Sequence, residues 1–281
     1  MHTLIVGARG QLGRDLVDVF SREGNITGLD IPELDITDAD ALRAATQRFR
    51  PTLVVNAAAY TDVEGAEDHR AAAFAANEEG ARNVARLAAQ LGVPTVYFST
   101  DFVFGGSKST PYAEDDPVAP RGVYAESKAA GEAAVREACA QHFIVRTAWL
   151  YGAGGNNFVE KILRAAAARP RLRVVNDETG SPTYTRDLAE ATCALCKTTA
   201  YGTYHAVNAG ACSRFDFARA ILRGAGVKTP VDPCTASEYP SKAPRPVYSV
   251  LSTEKLRAAC GYTMPPWEDA LRRYLQARET Q

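Results

Sequence analysis

The sequence predicts an α/β fold in which a doubly wound parallel sheet is followed by a smaller, loop-rich C-terminal lobe. Three observations predict it. Short apolar runs alternate with longer helical patterns through the first 150 residues. A Gly7-x-x-Gly10-x-x-Gly13 turn joins the first run to the first helix. The regular alternation then stops after Tyr151. Alternating short runs and helices imply right-handed crossovers between parallel strands, because only that hand packs a helix back onto a twisted sheet.

Taken in order, residues 3–6 (Thr-Leu-Ile-Val) read as a strand, followed by the glycine turn and a helix over Gln11–Ser21. Asn25–Leu29 is the second strand, Ala39–Phe49 a helix and residues 52–55 the third strand. Residues 71–91 read as one long alanine-rich helix, with Leu87 and Leu91 on one face near its end. A fourth strand over 94–98, a helix over 124–139 and a fifth strand over 143–145 complete the pattern. Residues 1–150 are therefore expected to form a dinucleotide-binding domain of the Rossmann type. Residues 151–281 form mainly a substrate-binding lobe, with some segments returning to the core. Within the lobe, helical segments around 187–196 and 215–224 separate loop-rich stretches at 176–185 and 230–246. The second stretch carries several of the chain's 15 prolines, which argues against regular structure there.

The composition suits an ordinary globular protein: of 281 residues, 46% are hydrophobic and 23% charged. The 32 basic residues nearly balance the 33 acidic ones, so no bulk charge draws the chain to nucleic acid or an anionic membrane. No apolar run approaches the roughly 20 residues needed to span a bilayer. Met1-His2-Thr3 leads straight into an apolar run and Gly7, leaving no room for a signal peptide, and a cytoplasmic location is expected. Among Cys139, Cys193, Cys196, Cys212, Cys234 and Cys260, only Cys193-x-x-Cys196 has a suggestive spacing. It lies in a helical apolar stretch with no second pair to complete a zinc site, so these thiols read as small buried hydrophobes. His2, His69, His142 and His205 are scattered without ligand spacing.

The glycine turn carries the first chemical signal. Gly7 makes the tight turn out of the strand, Gly10 lets backbone approach a pyrophosphate, and Gly13 lets helix and strand pack closely. The helix start at Gln11-Leu12 then offers unpaired N–H groups to phosphate. Asp30, at the end of the second strand, can accept hydrogen bonds from adenosine ribose hydroxyls, which favours NADH. Arg9 can stack on adenine or pair with a 2′-phosphate, which favours NADPH, so the choice between them stays open. Asp35 and Ile36 are placed to flank the adenine. Asn56-Ala57-Ala58-Ala59 offers small side chains at the sheet's carboxyl edge, for the cofactor or simply for close packing.

The second signal is Tyr124-x-x-x-Lys128, one helical turn apart and therefore on one face. A lysine ammonium beside a tyrosine favours the phenolate and brings its pKa towards the working range, and the same ammonium can hold ribose hydroxyls. Phe98-Ser99-Thr100-Asp101 ends the preceding strand, and a hydroxyl there can donate to a carbonyl oxygen as charge develops. Whether Ser99 or Thr100 is the donor stays open at this point. Hydride chemistry on a ketone needs no metal. Mg2+ enters only as an option, with acidic residues such as Asp15 from two chains meeting at a homodimer interface.

On these residues the chain resembles the extended short-chain dehydrogenases/reductases and, more narrowly, the dTDP-4-dehydrorhamnose reductases. The likeness runs nearly end to end. It rests on Val6-Gly7-Ala8-Arg9-Gly10-Gln11-Leu12-Gly13, Val55-Asn56-Ala57-Ala58-Ala59-Tyr60-Thr61, Ser99-Thr100-Asp101-Phe102-Val103-Phe104 and Tyr124-Ala125-Glu126-Ser127-Lys128. The more particular stretches are Arg146-Thr147-Ala148-Trp149-Leu150-Tyr151, Gly154-Gly155-Asn156-Asn157-Phe158, Gly180-Ser181-Pro182-Thr183, and Arg245-Pro246 leading to Leu251-Ser252-Thr253-Glu254-Lys255. The resemblance implies that Thr100, Tyr124 and Lys128 are catalytic. Asp30, Phe98 and the segment through Ala58, Ala59 and Tyr60 would line NADPH or NADH. Thr100, Asp101, Trp149, Asn157 and Arg245 would meet a sugar nucleotide. The implied reaction is reduction of the C4 ketone of dTDP-4-dehydro-L-rhamnose.

Phe102 departs from the family's usual tyrosine after Thr-Asp, and Tyr248 and Val250 depart from its Arg-Pro-x-x-Ser-Arg-Leu pattern. The alternatives are another sugar-nucleotide reductase or epimerase of the same superfamily, or a non-catalytic subunit resembling the beta regulatory subunit of methionine adenosyltransferase. A dehydratase is disfavoured because Phe102 cannot act as a base.

Overall fold

The computed structural model describes residues 1–239 and 241–279. The first half runs β1 (His2–Val6), α1 (Gln11–Ser21), β2 (Asn25–Leu29), α2 (Ala39–Phe49), β3 (Leu53–Asn56), α3 (Val63–Asp68) and α4 (Arg70–Phe74). A π-helical turn, Ala75–Gly80, leads into α5 (Ala81–Leu91), β4 (Thr95–Thr100), α6 (Val123–Ala138) and β5 (His142–Thr147). The second half runs β6 (Leu150–Tyr151), α7 (Phe158–Ala168), β7 (Leu172–Val175), β8 (Thr179–Gly180), β9 (Thr183–Tyr184) and α8 (Thr185–Cys196). It ends with β10 (Gly202–His205), β11 (Cys212–Ser213), α9 (Arg214–Gly224), β12 (Val231–Cys234), α10 (Glu254–Cys260) and α11 (Trp267–Glu279).

Six strands form one parallel sheet in the order β10-β5-β4-β3-β1-β2. The strand order reverses between β1 and β3. That is the switch point at which ligands bind in open α/β sheets. Central strands β3 and β4 are buried on both faces, as a sheet covered twice requires. One face is covered by α1 and α8, where Leu12, Leu16 and Phe20 pack with Leu188 and Leu195. The other is covered by α2, α5 and α6, where Leu42, Val84, Leu87 and Val135 meet Leu4, Val54 and Ile144. A separate apolar cluster joins Tyr151, Val159, Ile162, Phe217, Trp267 and Leu271 from α7, α9 and α11.

The structure corrects three expectations. The helix expected over 71–91 is three pieces, because Tyr97 Oη donates to the Asn77 carbonyl oxygen at 3.0 Å and gives that carbonyl a partner outside the helix. The chain beyond Tyr151 is more regular than expected: α7 forms where Asn157 caps the N–H of Glu160, and α10 and α11 close the chain. The proline-rich stretch at 230–246 contributes β12, which pairs only with β7, so Pro233 loses no central ladder bond. Among the described residues no helix is long and apolar enough to cross a membrane.

Candidate active site

The glycine turn sits at the carboxyl end of β1. Gly7 has φ +76°, and a Cβ there would lie 2.5 Å from Ala58 N, so the turn needs glycine twice over. A Cβ on Gly13 would lie 2.0 Å from Gly7 O, which fixes the close approach of α1 to the turn. Gly10 differs. A Cβ there would meet nothing nearer than Gly7 O at 3.4 Å, so protein packing does not explain its glycine. Helix α1 also starts with no side-chain cap, leaving its first N–H groups free of one. An uncapped helix start beside a bare Cα suits a pyrophosphate. The Leu12 side chain is core, which leaves only its backbone to face the turn. The Gln11 side chain turns towards Asn157, whose Nδ2 donates to Gln11 Oε1 at 3.4 Å.

Asp30 is occupied by backbone: it accepts from the N–H of Arg9 and of Ile31, both at 2.8 Å. The Arg9 guanidinium pairs with Glu33 and donates to Ile31 O at 3.2 Å. Asp35 accepts from the N–H and hydroxyl of Thr37, and Ile36 is buried against Gly80. The small residues after β3 are held by two buried amides. Asn56 Oδ1 accepts from Ala58 N at 3.1 Å, while its Nδ2 is buried without a partner among the described residues. Asn77 accepts from Tyr60 N at 2.9 Å and donates to Tyr60 O at 3.0 Å and Ser127 Oγ at 2.9 Å. Asn77 thus ties the segment 58–60 to α6. The residues present fit a dinucleotide.

β4 carries Thr100 to the sheet's carboxyl edge, and α6 brings Tyr124 and Lys128 beside it. The Tyr124 hydroxyl lies near enough to the Thr100 side chain for the two to influence each other. Thr100 Oγ1 donates to Asp101 Oδ1 at 3.0 Å and accepts from Phe102 N at 3.2 Å. Phe102 packs edge-on against the Tyr124 ring, with centroids 6.0 Å apart, and helps keep the phenol dry.

The electrostatics differ from the expectation of a phenol acidified by its lysine. Burial pushes Tyr124 up to about 12, opposed by the nearby Thr100 side chain and reinforced by Asp101. Burial brings Lys128 down to about 7, with Glu132 alone working to raise it. The reason is geometric. Lys128 Nζ donates to Phe98 O at 2.6 Å and lies 4.1 Å from the Tyr97 ring centroid, so those groups hold it. Phe98 acts through this carbonyl. Burial likewise raises Asp101 to about 6, against the nearby Ser249 and Thr100 side chains and the charge of Arg214. A protonated phenol of high pKa is a competent proton donor to an oxygen becoming an alkoxide.

Sequence reasoning missed the charged floor beneath this site. Arg146 clasps Glu132 with two hydrogen bonds of 2.8 Å, and both side chains are 2% exposed. The available signal was position: Glu132 lies one turn past Lys128 on α6. On the substrate side, Trp149 follows β5 with φ +46°, a conformation costing an ordinary residue on the order of 1–3 kcal/mol. Its ring lies under the Arg214 guanidinium, 3.5 Å from centroid to Cζ. Asn157 is committed to capping α7 and to Gly152 O at 2.9 Å. Arg245 pairs with Glu64 at 2.8 Å. Asp15 is held within the chain by Thr185 and Arg186, and no acidic, histidine or cysteine cluster among the described residues has the make-up of a metal site.

Three comparisons bear on this geometry. The family described as the RmlD substrate binding domain matches residues 1–280. The chain is 43% identical to a dTDP-4-dehydrorhamnose reductase of Mycobacterium tuberculosis, over 98% of this chain and 92% of that one. It is 41% identical to the spore coat polysaccharide biosynthesis protein SpsK of Bacillus subtilis, over 99% of this chain and 98% of that one. Among solved structures, the Bacillus anthracis dTDP-4-dehydrorhamnose reductase in complex with NADP superposes with a TM-score of 0.95 at 41% identity, covering 98% of this chain and 99% of that one.

Proposed function

The chain belongs to the RmlD substrate binding domain family, and from that premise we propose that it reduces the C4 ketone of dTDP-4-dehydro-L-rhamnose to dTDP-L-rhamnose. It is an NAD(P)H-dependent oxidoreductase, with a sugar nucleotide as substrate. The observation that carries the reading is the gathering of Tyr124 and the Thr100–Asp101 hydrogen bond at the carboxyl edge of β4, with Lys128 anchored beside them. When bound, the reduced nicotinamide supplies a hydride. Everything else falls to the chain's own side chains.

In this reading Thr100 and Tyr124 converge on the ketone oxygen. Tyr124 delivers its phenolic proton as the oxygen gains negative charge, and Thr100 steadies that oxygen. Lys128, fixed by the Phe98 carbonyl, keeps a positive charge close to the transfer. Before substrate binds, Asp101 accepts from the Thr100 hydroxyl and holds it in place; the same proton turns to the ketone oxygen when substrate enters. Gly7, Gly10, Gly13, the backbone of Gln11 and Leu12, Arg9, Asp30, Asp35, Ile36, Ala58, Ala59, Tyr60 and Phe98 form the cofactor's bed. Asp101, Trp149, Asn157 and Arg245 form the sugar nucleotide's, the last two from the lobe of residues 151–281. The protein works in the cytoplasm. A homodimer accords with this reading.

Product analysis tests the assignment. Enzyme, dTDP-4-dehydro-L-rhamnose and NADPH deuterated at the transferred position should give dTDP-L-rhamnose carrying one deuterium at C4. A product epimerised or dehydrated, with no net deuterium, would place the chain among the epimerases or dehydratases instead.

A further inference from the structure

Trp149 is held from both sides by residues of one small ladder. Beneath the indole, Gly180 leaves room that no other residue could: a Cβ there would lie 2.5 Å from the indole Cε2. Above it sits the Arg214 guanidinium, 3.5 Å from the ring centroid. Gly180 ends β8, and Arg214 directly follows β11. These two strands pair antiparallel, with Cys212 opposite Gly180 and Ser213 opposite Thr179. The jaws above and below the indole therefore move as one unit. The backbone of Trp149 is tied independently, since its carbonyl accepts from Thr183 N at 3.3 Å.

Arg214 gains little from its surroundings apart from this stack. It is the first residue of α9, where a positive charge opposes the helix dipole. Its Nε is buried with no hydrogen-bond partner among the described residues, and Glu178 Oε2 approaches only to 3.8 Å. Burial lowers its pKa to about 10, and the neighbouring Arg245 works in the same direction against Glu178 and Asp101. A desolvated guanidinium so weakly paired is costly, and its closest ring contact is the indole.

We propose that Arg214 is a positioning residue for the sugar nucleotide: with Gly180 it clamps the Trp149 indole in its left-handed backbone setting and so holds one wall of the substrate pocket. The inference rests on the reading above that Trp149 lines that pocket. Arg214 itself takes no part in hydride or proton transfer.

The chain has two tryptophans, so Trp267→Phe leaves Trp149 as the sole reporter. In that background, Arg214→Met is expected to shift the remaining emission and raise its quenching by acrylamide. KM for the sugar nucleotide should rise about tenfold, the factor a desolvated cation–π contact commands, with kcat and KM for NADPH unchanged. Arg214→Lys should restore part of both readouts. Because Arg214→Met leaves Glu178 buried alone, the double variant Arg214→Met/Glu178→Gln guards against simple misfolding, and Gly180→Ala should reproduce the KM effect from the other side of the ring. Unchanged emission and KM, or a loss of kcat with both KM values altered together, overturns the clamp. The emission readout needs no substrate. A wild type inactive on dTDP-4-dehydro-L-rhamnose would sink the functional reading while still testing the clamp.

Discussion

Two buried titrating groups set the pH dependence expected at the level of single residues. Lys128, at about 7, carries its charge only below that value, so kcat/KM should fall as pH rises through it. Asp101, at about 6, holds Thr100 most strongly when ionised, so kcat/KM should also fall as pH drops through it. The free enzyme is expected to show a narrow bell between these limbs, and Asp101→Asn should remove the acidic one. A flat profile from pH 5 to 9 would contradict both assignments. Glu132→Gln removes the one charge that raises Lys128, so the basic limb should move to lower pH. It also leaves Arg146 buried alone, at a cost of about 3–5 kcal/mol, read as a lower denaturant midpoint. The Tyr–Lys spacing was legible in the sequence. The direction in which Lys128 points was not, because it is set by the Phe98 carbonyl and the Tyr97 ring, residues on a different element.

Single elements show why some of the fold was readable and some was not. The strand, glycine turn and α1 follow from local rules, since Gly7 at φ +76° and the close approach at Gly13 admit no side chain. Gly13→Ala places a Cβ 2.0 Å from Gly7 O, so dinucleotide affinity should collapse together with stability, measurable by NADPH titration and thermal melting. The break between α4 and α5 follows from no local rule. Alanine-rich sequence favours a continuous helix, and only the distant Tyr97 hydroxyl and the amide of Asn77 make the π turn useful. Asn77→Ala strands the N–H and carbonyl of Tyr60. It should cost about 1–3 kcal/mol per group left unsatisfied and raise KM for the cofactor, while leaving proton transfer intact. Helix α11 carried a readable signal in Leu271, Tyr274 and Leu275, masked by the charges of Glu268, Asp269, Arg272 and Arg273 between and around them.

At the scale of the whole molecule, the parallel sheet was legible because the alternation of short runs and helices is a global pattern. The substrate side was legible only as residue types. Trp149, Asn157 and Arg245 are drawn in by a stack, a helix cap and an ion pair that no spacing encodes. Cofactor preference also belongs to this scale, because Arg9 and Glu33 come from different turns around β2. Arg9→Ala should raise KM for NADPH several-fold more than KM for NADH, since only NADPH offers a 2′-phosphate to a guanidinium. The central claim is that the chain moves a hydride to a sugar-nucleotide ketone while Tyr124 supplies the proton. Its most direct test is the rate of NADPH and NADH oxidation with dTDP-4-dehydro-L-rhamnose, wild type beside Tyr124→Phe. The account predicts substrate-dependent oxidation that falls about 100-fold or more in the variant, the scale of a lost general acid. Oxidation that survives Tyr124→Phe undiminished, or never depends on the sugar nucleotide, would contradict it.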